Sequence, residues 1–199
     1  MTSVDGRLAR SVRTRTAVID ALLALYEEGD LNPTAVRVAG RAGVALRTVY
    51  GHFADMESLY AEAGERELAR TLERVTAIDP DLPYDARLAA FAAGRGDVLE
   101  FLLPVMRAMG AKELGSPQLL RARAQFIGLG DFEVHLAFAP ELDPLPEQRR
   151  RRVLDLVHLV AGGPAWVTLR TDRGLDQAAA VEVVRDGLAA VFTASTSCT

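Results

Sequence analysis

Apolar residues recur at intervals of three and four along most of this chain, a spacing that places them on one face of a helix. In the first helix that this pattern predicts, the apolar face ends shortly before Gly29, a residue type that commonly follows a helix. No segment shows the sustained alternation of apolar and polar residues that a half-buried strand requires. We therefore predict an all-α protein of about nine helices. The apolar face of the first helix consists of Val18, Ile19, Leu22, Leu23 and Tyr26.

Two short helices are predicted after the first one. Thr34 is a residue type that caps helix N-termini, and it precedes an apolar stripe that stops at Gly43. Glycine tolerates the positive φ of a tight turn, and the next predicted helix runs from about Ala45 to Phe53. Three short helices within about forty-five residues, the last two joined by a glycine turn, are typical of a helix-turn-helix.

The third predicted helix has two distinct faces. Val49 and Phe53 are four residues apart, so they share a face that can pack inward. The opposite face carries hydrogen-bond donors and contact residues of the kind that meet phosphates and base edges. Each of these side chains alone would be an ordinary surface residue, but their joint occurrence favours DNA contact. Together with two residues of the second helix, the predicted DNA-binding residues are Thr34, Arg37, Leu46, Arg47, Thr48, Tyr50, Gly51 and His52.

Residues 39–55, with the sequence AGRAGVALRTVYGHFAD, resemble the signature of the TetR family of transcriptional regulators. The shared features are Ala-Gly-Val at the turn, Thr-Val-Tyr followed by His-Phe, and an aspartate that leads into a fourth helix. The chain departs from that signature at Ala45, Gly51 and Met56, where the family usually has Ser or Thr, a larger residue, and Lys. These departures bear on the affinity for DNA more than on the fold.

The resemblance implies a repressor that binds a palindromic operator of double-stranded DNA and is released from it by a small-molecule effector. It implies an N-terminal arm and helix-turn-helix domain in residues 1–55, with a connecting helix at about 55–76. Residues 56–199 would form a ligand-binding and dimerisation domain. A homodimer would then form through the last two helices, at about 147–171 and 175–193.

The rest of the chain predicts about five more helices, which are separated by breaks rich in glycine and proline. The clearest of these linkers is residues 79–83, where two prolines and two aspartates separate one helix from the next. Further breaks are predicted at residues 94–96, 115–117, 140–146 and 171–174.

The effector site is predicted in the helical body, where aromatic and methionine side chains favour a mainly apolar or aromatic ligand with one or two polar anchors. For His135 and Trp166, an ordinary core position is the alternative reading. The predicted ligand-binding residues are Phe101, Met106, Phe126 and Trp166, with Arg123 and His135 as polar anchors.

The last two predicted helices have apolar residues on more than one face, whereas a lone surface helix needs only one apolar stripe. This independently favours a dimer interface there. Val184 of the final helix is predicted to lie in that interface, where a buried carboxylate without a partner would be costly.

The net charge of −4 does not indicate a partner, but residues 1–54 hold seven arginines against five acidic residues. The first four of these arginines form either a solvated arm or a further DNA contact. A second basic run, Arg149–Arg152, is interpreted as a solvated start of a helix because its side chains point all around that helix. The first four arginines are Arg7, Arg10, Arg13 and Arg15.

Several other classes of protein are disfavoured by the sequence. The single cysteine, Cys198, excludes an intramolecular disulfide, and the histidines lack the spacing of a metal site. We expect no cofactor, no metal, no enzymatic activity, no signal peptide and no membrane span, and therefore a cytoplasmic protein. Two alternatives stay open: a ligand sensor of this family that binds DNA weakly, and an all-helical enzyme.

Overall fold

The computed structural model describes residues 2–110, 112 and 116–196, so Cys198 lies outside the described residues. The described residues form α-helices and contain no strand, which confirms the predicted all-α class. The predicted count of about nine helices is close to the observed one. The helices are α1 (Thr2–Glu27), α2 (Ala35–Ala42), α3 (Leu46–His52), α4 (Met56–Leu72), α5 (Tyr84–Met109), α6 (Pro117–Leu142), α7 (Glu147–Ala161), α8 (Gly163–Val167), a π-helical turn (Thr168–Asp172) and α9 (Gln177–Thr196).

The chain divides into two compact units. The first, here called the head unit, combines Met1–Ala69 with Pro104–Ala122. The second, here called the body unit, combines Arg70–Leu103 with Arg123–Thr199. The head unit is therefore larger than residues 1–55, because most of α4 and the adjoining ends of α5 and α6 belong to it. The functional division at residue 55 stays a prediction.

The core of the head unit is built on the apolar face of α1 that the sequence predicts. Val18 and Leu22 are fully buried there, and Val38 of α2 and Leu59 of α4 are buried against the same cluster. The end of α5 and the start of α6 complete this core. Their contributions are Ala108, Met109 and Leu119.

The predicted break at residues 94–96 is wrong, because α5 continues through it. Gly96 is buried, and a Cβ at this position would lie 2.4 Å from Cγ2 of Val181 and 3.2 Å from the Trp166 ring. The glycine therefore serves close packing of other body helices against α5. Its conformational freedom is not used to end the helix.

The predicted helix 147–171 is also wrong in its extent, because α7 ends at Ala161. Gly162 adopts an extended conformation, with φ −89° and ψ 168°, and separates α7 from α8. Pro164 then stands in the first turn of α8, where its missing N–H costs no helical hydrogen bond. The last helix, α9, lies close to the predicted range of 175–193.

The body unit has an aromatic centre. Phe138 lies between Phe192 and Phe91, with ring centroids 4.5 Å and 5.3 Å away. Phe138 also has non-helical torsions, φ −125° and ψ 26°, two residues before Pro140 within α6. Proline disfavours regular helix in the residues before it, so this kink has a local cause.

Val184, which the sequence predicts to lie in a dimer interface, is instead buried within one chain. It is only 1% exposed, in the α7–α9 packing that also buries Val157 and Leu188. The apolar residues of α7 and α9 therefore serve first to pack these two helices on each other within one chain.

No helix in the described part of the chain is long and apolar enough to cross a bilayer.

Candidate nucleic-acid interface

Helix α2 is capped at both ends by residues that the sequence singles out. Oγ1 of Thr34 accepts a hydrogen bond from the backbone N–H of Arg37 at 3.3 Å, as an N-cap does. Gly43 ends α2 with φ 67°, a left-handed conformation that favours glycine. The Val44 N–H then donates to the carbonyl of Ala39 at 3.0 Å, which fixes the direction in which α3 begins.

The two faces of α3 are divided as the sequence predicts. Val49 and Phe53 are 1% and 2% exposed and anchor α3 in the head core. On the opposite side, Tyr50 is 52% exposed although it is aromatic, and Leu46 is 39% exposed. The remaining predicted contact residues of α3 are exposed (Arg47 and Gly51) or half-buried (Thr48 and His52).

Arg15 of α1 is held inside the head unit and braces the end of α3. Its Nε donates to Glu62 of α4 at 2.7 Å, and its Nη1 donates to the carbonyl of His52 at 2.5 Å. The guanidinium carbon also lies 4.6 Å from the centroid of the Phe53 ring. Arg15 is therefore a structural residue, whereas Arg7, Arg10 and Arg13 are exposed on α1, and their DNA contact stays a prediction.

Two further arginines of the head are exposed but oriented by acidic residues. Nη1 of Arg37 lies 3.0 Å from Oδ2 of Asp30, and Nη2 of Arg41 lies 3.0 Å from Oε1 of Glu28. Exposed ion pairs of this kind contribute little to stability. They do orient the two guanidinium groups. Arg37 is one of the predicted DNA-binding residues.

The positions that depart from the family signature have plain structural surroundings. Ala45 precedes α3 without any side-chain cap hydrogen bond. A Cβ at Gly51 would meet no atom within 4 Å, so nothing in the fold requires glycine there. Met56 is partly buried against the head core. A lysine at position 56 would therefore exchange apolar packing for its charge.

The six predicted effector-binding residues are distributed over both units. Met106 belongs to the head unit, and the other five belong to the body unit. Trp166 is fully buried, and its Nε1 donates to Glu100 at 3.1 Å, as the core reading of this residue expects. Nε2 of His135 lies 3.4 Å from a carboxylate oxygen of Asp143. The remaining body residues Phe101, Arg123 and Phe126 are half-buried, so the effector site stays a prediction.

The body unit also contains three arginines of low exposure that sequence reasoning missed. Arg87 and Arg170 each bind a carboxylate through two nitrogens, on Glu141 and Glu100 respectively. Hydrogen bonding to Arg170 lowers the pKa of Glu100 below its usual value. The third, Arg95, stands between Phe91 and Val98 in the buried stripe of α5. A charged residue at an apolar position of a helical repeat is the signal that could have revealed Arg95.

A second apolar surface remains on α7 and α9 after they have packed on each other. Leu159 and Leu156 of α7 are 69% and 45% exposed, and Val183 of α9 is 48% exposed. The prediction that these helices are apolar on more than one face is therefore confirmed by the burial pattern.

Comparison with solved structures finds the same arrangement of helices. A TetR-family transcriptional regulator from Streptomyces coelicolor superposes with a TM-score of 0.74 at 20% identity, over 94% of this chain and 83% of that one. A protein from Mesorhizobium loti assigned to the same family gives 0.64 at 20% identity, over 93% and 98% of the two chains. A transcriptional regulator from Rhodococcus gives 0.62 at 17% identity, over 92% and 96%.

No family model and no curated protein matches this sequence. Chains as different as these solved structures share a fold without sharing details of function. The resemblance that residues 39–55 indicate is therefore confirmed at the level of architecture: this chain has the fold of the TetR-family transcriptional regulators.

Proposed function

We propose that this protein is a transcriptional regulator that reads double-stranded DNA with α3. The observation that carries the proposal is the outward face of α3, where Arg47 and Tyr50 are exposed on a helix whose other face is anchored by Val49 and Phe53. A helix fixed in this way and preceded by a glycine turn has the geometry that enters a major groove.

The residues of this face suit different parts of a DNA duplex. The Arg47 guanidinium can donate two hydrogen bonds to a guanine edge, and the hydroxyls of Thr48 and Tyr50 can donate to phosphate oxygens. Arg37 stands at the start of α2, where it would add a phosphate contact. Open space around Gly51 would let the helix backbone come close to the groove.

The DNA-reading unit in this proposal is a homodimer. The exposed apolar residues of α7 and α9, Leu156, Leu159 and Val183, would meet the same residues of a second copy across a two-fold axis. Two head units related by this symmetry would read a palindromic site, with α3 helices about 34 Å apart.

Regulation in this proposal comes from a small molecule that binds the body unit. A ligand changes the operator affinity only if it binds a dimer with one spacing of the two head units more tightly than a dimer with another spacing. Release of DNA by the ligand would make the protein a repressor.

Selection of duplexes from a random pool by the full-length protein tests this proposal. We expect an inverted repeat to be enriched, and we expect Arg47→Ala to weaken binding of that duplex by about 1–3 kcal/mol at fixed salt. Arg173→Ala, an exposed change in the body unit, is the matched control and should bind like the wild type. Failure to enrich any sequence, or equal affinity of the Arg47→Ala protein, would contradict the proposal.

A further inference from the structure

Three arginines of the body unit have low exposure, and one of them is bonded differently from the others. The exposed fractions of the side chains are 5% for Arg87, 13% for Arg95 and 21% for Arg170. Arg87 and Arg170 hold carboxylate oxygens at 2.5–2.8 Å, and each also donates to a backbone carbonyl. Their donors are thus matched by acceptors within the fold, as low-exposure guanidinium groups require.

The contacts of Arg95 are longer and fewer. Its Nη1 lies 3.3 Å from Oε2 of Glu133, and its Nη2 donates to the carbonyl of Gly130 at 3.3 Å. Its Nε is buried and has no hydrogen-bond partner among the described residues. The Phe91 ring lies 5.2 Å from the guanidinium carbon and supplies an apolar wall. One edge of a low-exposure cation is therefore left without an acceptor.

The surroundings of Arg95 are polar and weakly solvated. Burial lowers the pKa of Arg95 and raises the pKa values of Glu133 and Asp131 on α6. On α7, the interaction with His158 lowers the pKa of Asp131, and the interaction with Asp155 raises it.

The backbone of α6 is adapted to this position. A Cβ at Gly130 would lie 3.1 Å from Nη2 and 3.3 Å from Nη1 of Arg95. Glycine therefore permits the guanidinium to lie against the α6 backbone, and an alanine there would require the guanidinium to shift by a few tenths of an ångström.

We propose that Arg95 is the anchor for the carboxylate of a small organic acid, and that an acid of this kind is the effector of the regulator. The carboxylate would accept from Nε and a neighbouring Nη of Arg95, the bidentate geometry that Arg170 already adopts with Glu100, once the groups that cover the buried Nε move apart. The Phe91 ring beside the guanidinium suits an acid that carries an aromatic or aliphatic group. This inference rests on the proposed regulatory function.

Thermal unfolding of the full-length protein with benzoate, and with benzyl alcohol as its neutral counterpart, tests the assignment. We expect benzoate to raise the Tm in proportion to the logarithm of its concentration, and benzyl alcohol to have a much smaller effect. Arg95→Met should weaken benzoate binding about tenfold or more, because a charge-assisted pair is lost. Arg173→Met, which removes an exposed arginine of the same unit, should bind benzoate like the wild type.

Gly130→Ala provides a second variant that keeps every charge. It should weaken benzoate binding by shifting the guanidinium of Arg95, while a Gly128→Ala control, where a Cβ meets no atom within 4 Å, should not. Equal benzoate affinity of the wild type and Arg95→Met would overturn the site, and so would equal effects of benzoate and benzyl alcohol. No response of the wild type to benzoate would overturn the assignment to organic acids.

A stability measurement distinguishes a ligand anchor from a structural ion pair. The double variant Arg95→Met/Glu133→Gln should unfold at the same Tm as the wild type or higher, because the charges removed are poorly bonded. A strongly lowered Tm would show that the pair serves the fold, and would overturn the proposal.

The regulatory role has its own readout. Benzoate should lower the affinity of the wild type for its selected duplex and leave that of Arg95→Met unchanged. If benzoate binds through Arg95 but DNA affinity does not change, the effector assignment is overturned. If the chain selects no DNA while benzoate still requires Arg95, the proposed function fails and the acid site stands.

Discussion

Three arginines of the head unit and two of the body unit are used in opposite ways. In the head, Arg37, Arg41 and Arg47 are exposed, and the ion pairs of the first two leave their guanidinium groups at the surface. In the body, Arg87 and Arg170 are turned inward and join helices through bidentate glutamate contacts. The same residue type thus supplies a charge that can meet phosphate in one unit and connects helices in the other. A total count of arginines does not reveal this difference.

The largest effect is expected where an inward arginine is removed. Arg87→Met would leave Glu141 without its partner and free the carbonyls of Leu82 and Ala137. Breaking a buried ion pair in this way costs about 3–5 kcal/mol, which urea unfolding of the full chain would measure. Arg87→Met/Glu141→Leu should recover much of the loss. An unfolding midpoint for Arg87→Met equal to that of the wild type would remove the distinction between the two units.

The next effect concerns assembly. Leu159→Glu places a charge on the exposed apolar surface of α7, so the dimer should dissociate while the monomer stays folded. The loss of association should be roughly 2–4 kcal/mol, since unpaired charges become buried on pairing. Sedimentation at micromolar concentration measures this.

Val184→Glu is the matched comparison for Leu159→Glu. Val184 is 1% exposed within one chain, so a carboxylate there should lower the Tm. It should not yield a stable monomer. A Leu159→Glu protein that still sediments as a dimer would place the interface elsewhere.

A smaller effect is expected from Arg15, a head arginine that bonds within the fold. Arg15→Met removes the hydrogen bonds to Glu62 and to the His52 carbonyl, and should destabilise the head by about 1–3 kcal/mol. DNA affinity should fall as well, because the end of α3 loses its brace. Arg13→Met, at an exposed position two residues earlier, is the control for stability. Equal unfolding of the two variants would contradict the structural role of Arg15.

The smallest effect is expected at the start of α3. Ala45 makes no capping hydrogen bond, so Ala45→Ser should stabilise the head by about 0.5–1 kcal/mol. Ala45→Val offers no hydroxyl and should not stabilise it. A midpoint in urea that does not rise for Ala45→Ser would show that position 45 is not a working N-cap.

The sequence predicts the head far better than the body. Thr34, Gly43, Val49 and Phe53 each act through a local rule for capping, turning or facing inward, and each takes its predicted place. The errors in the body come from packing between distant segments. Gly96 is close-packed against α9, and Val184 is buried by α7, which a local pattern does not show.

The most direct test of the central claim is a hydroxyl-radical footprint of the protein on its selected duplex. Two copies with α3 in successive major grooves should protect two symmetric patches, whose centres lie about one helical turn, roughly 10 base pairs, apart. Arg47→Ala should weaken both patches together. A single protected patch, or a footprint that Arg47→Ala leaves at full strength, would contradict a two-headed regulator that reads DNA with α3.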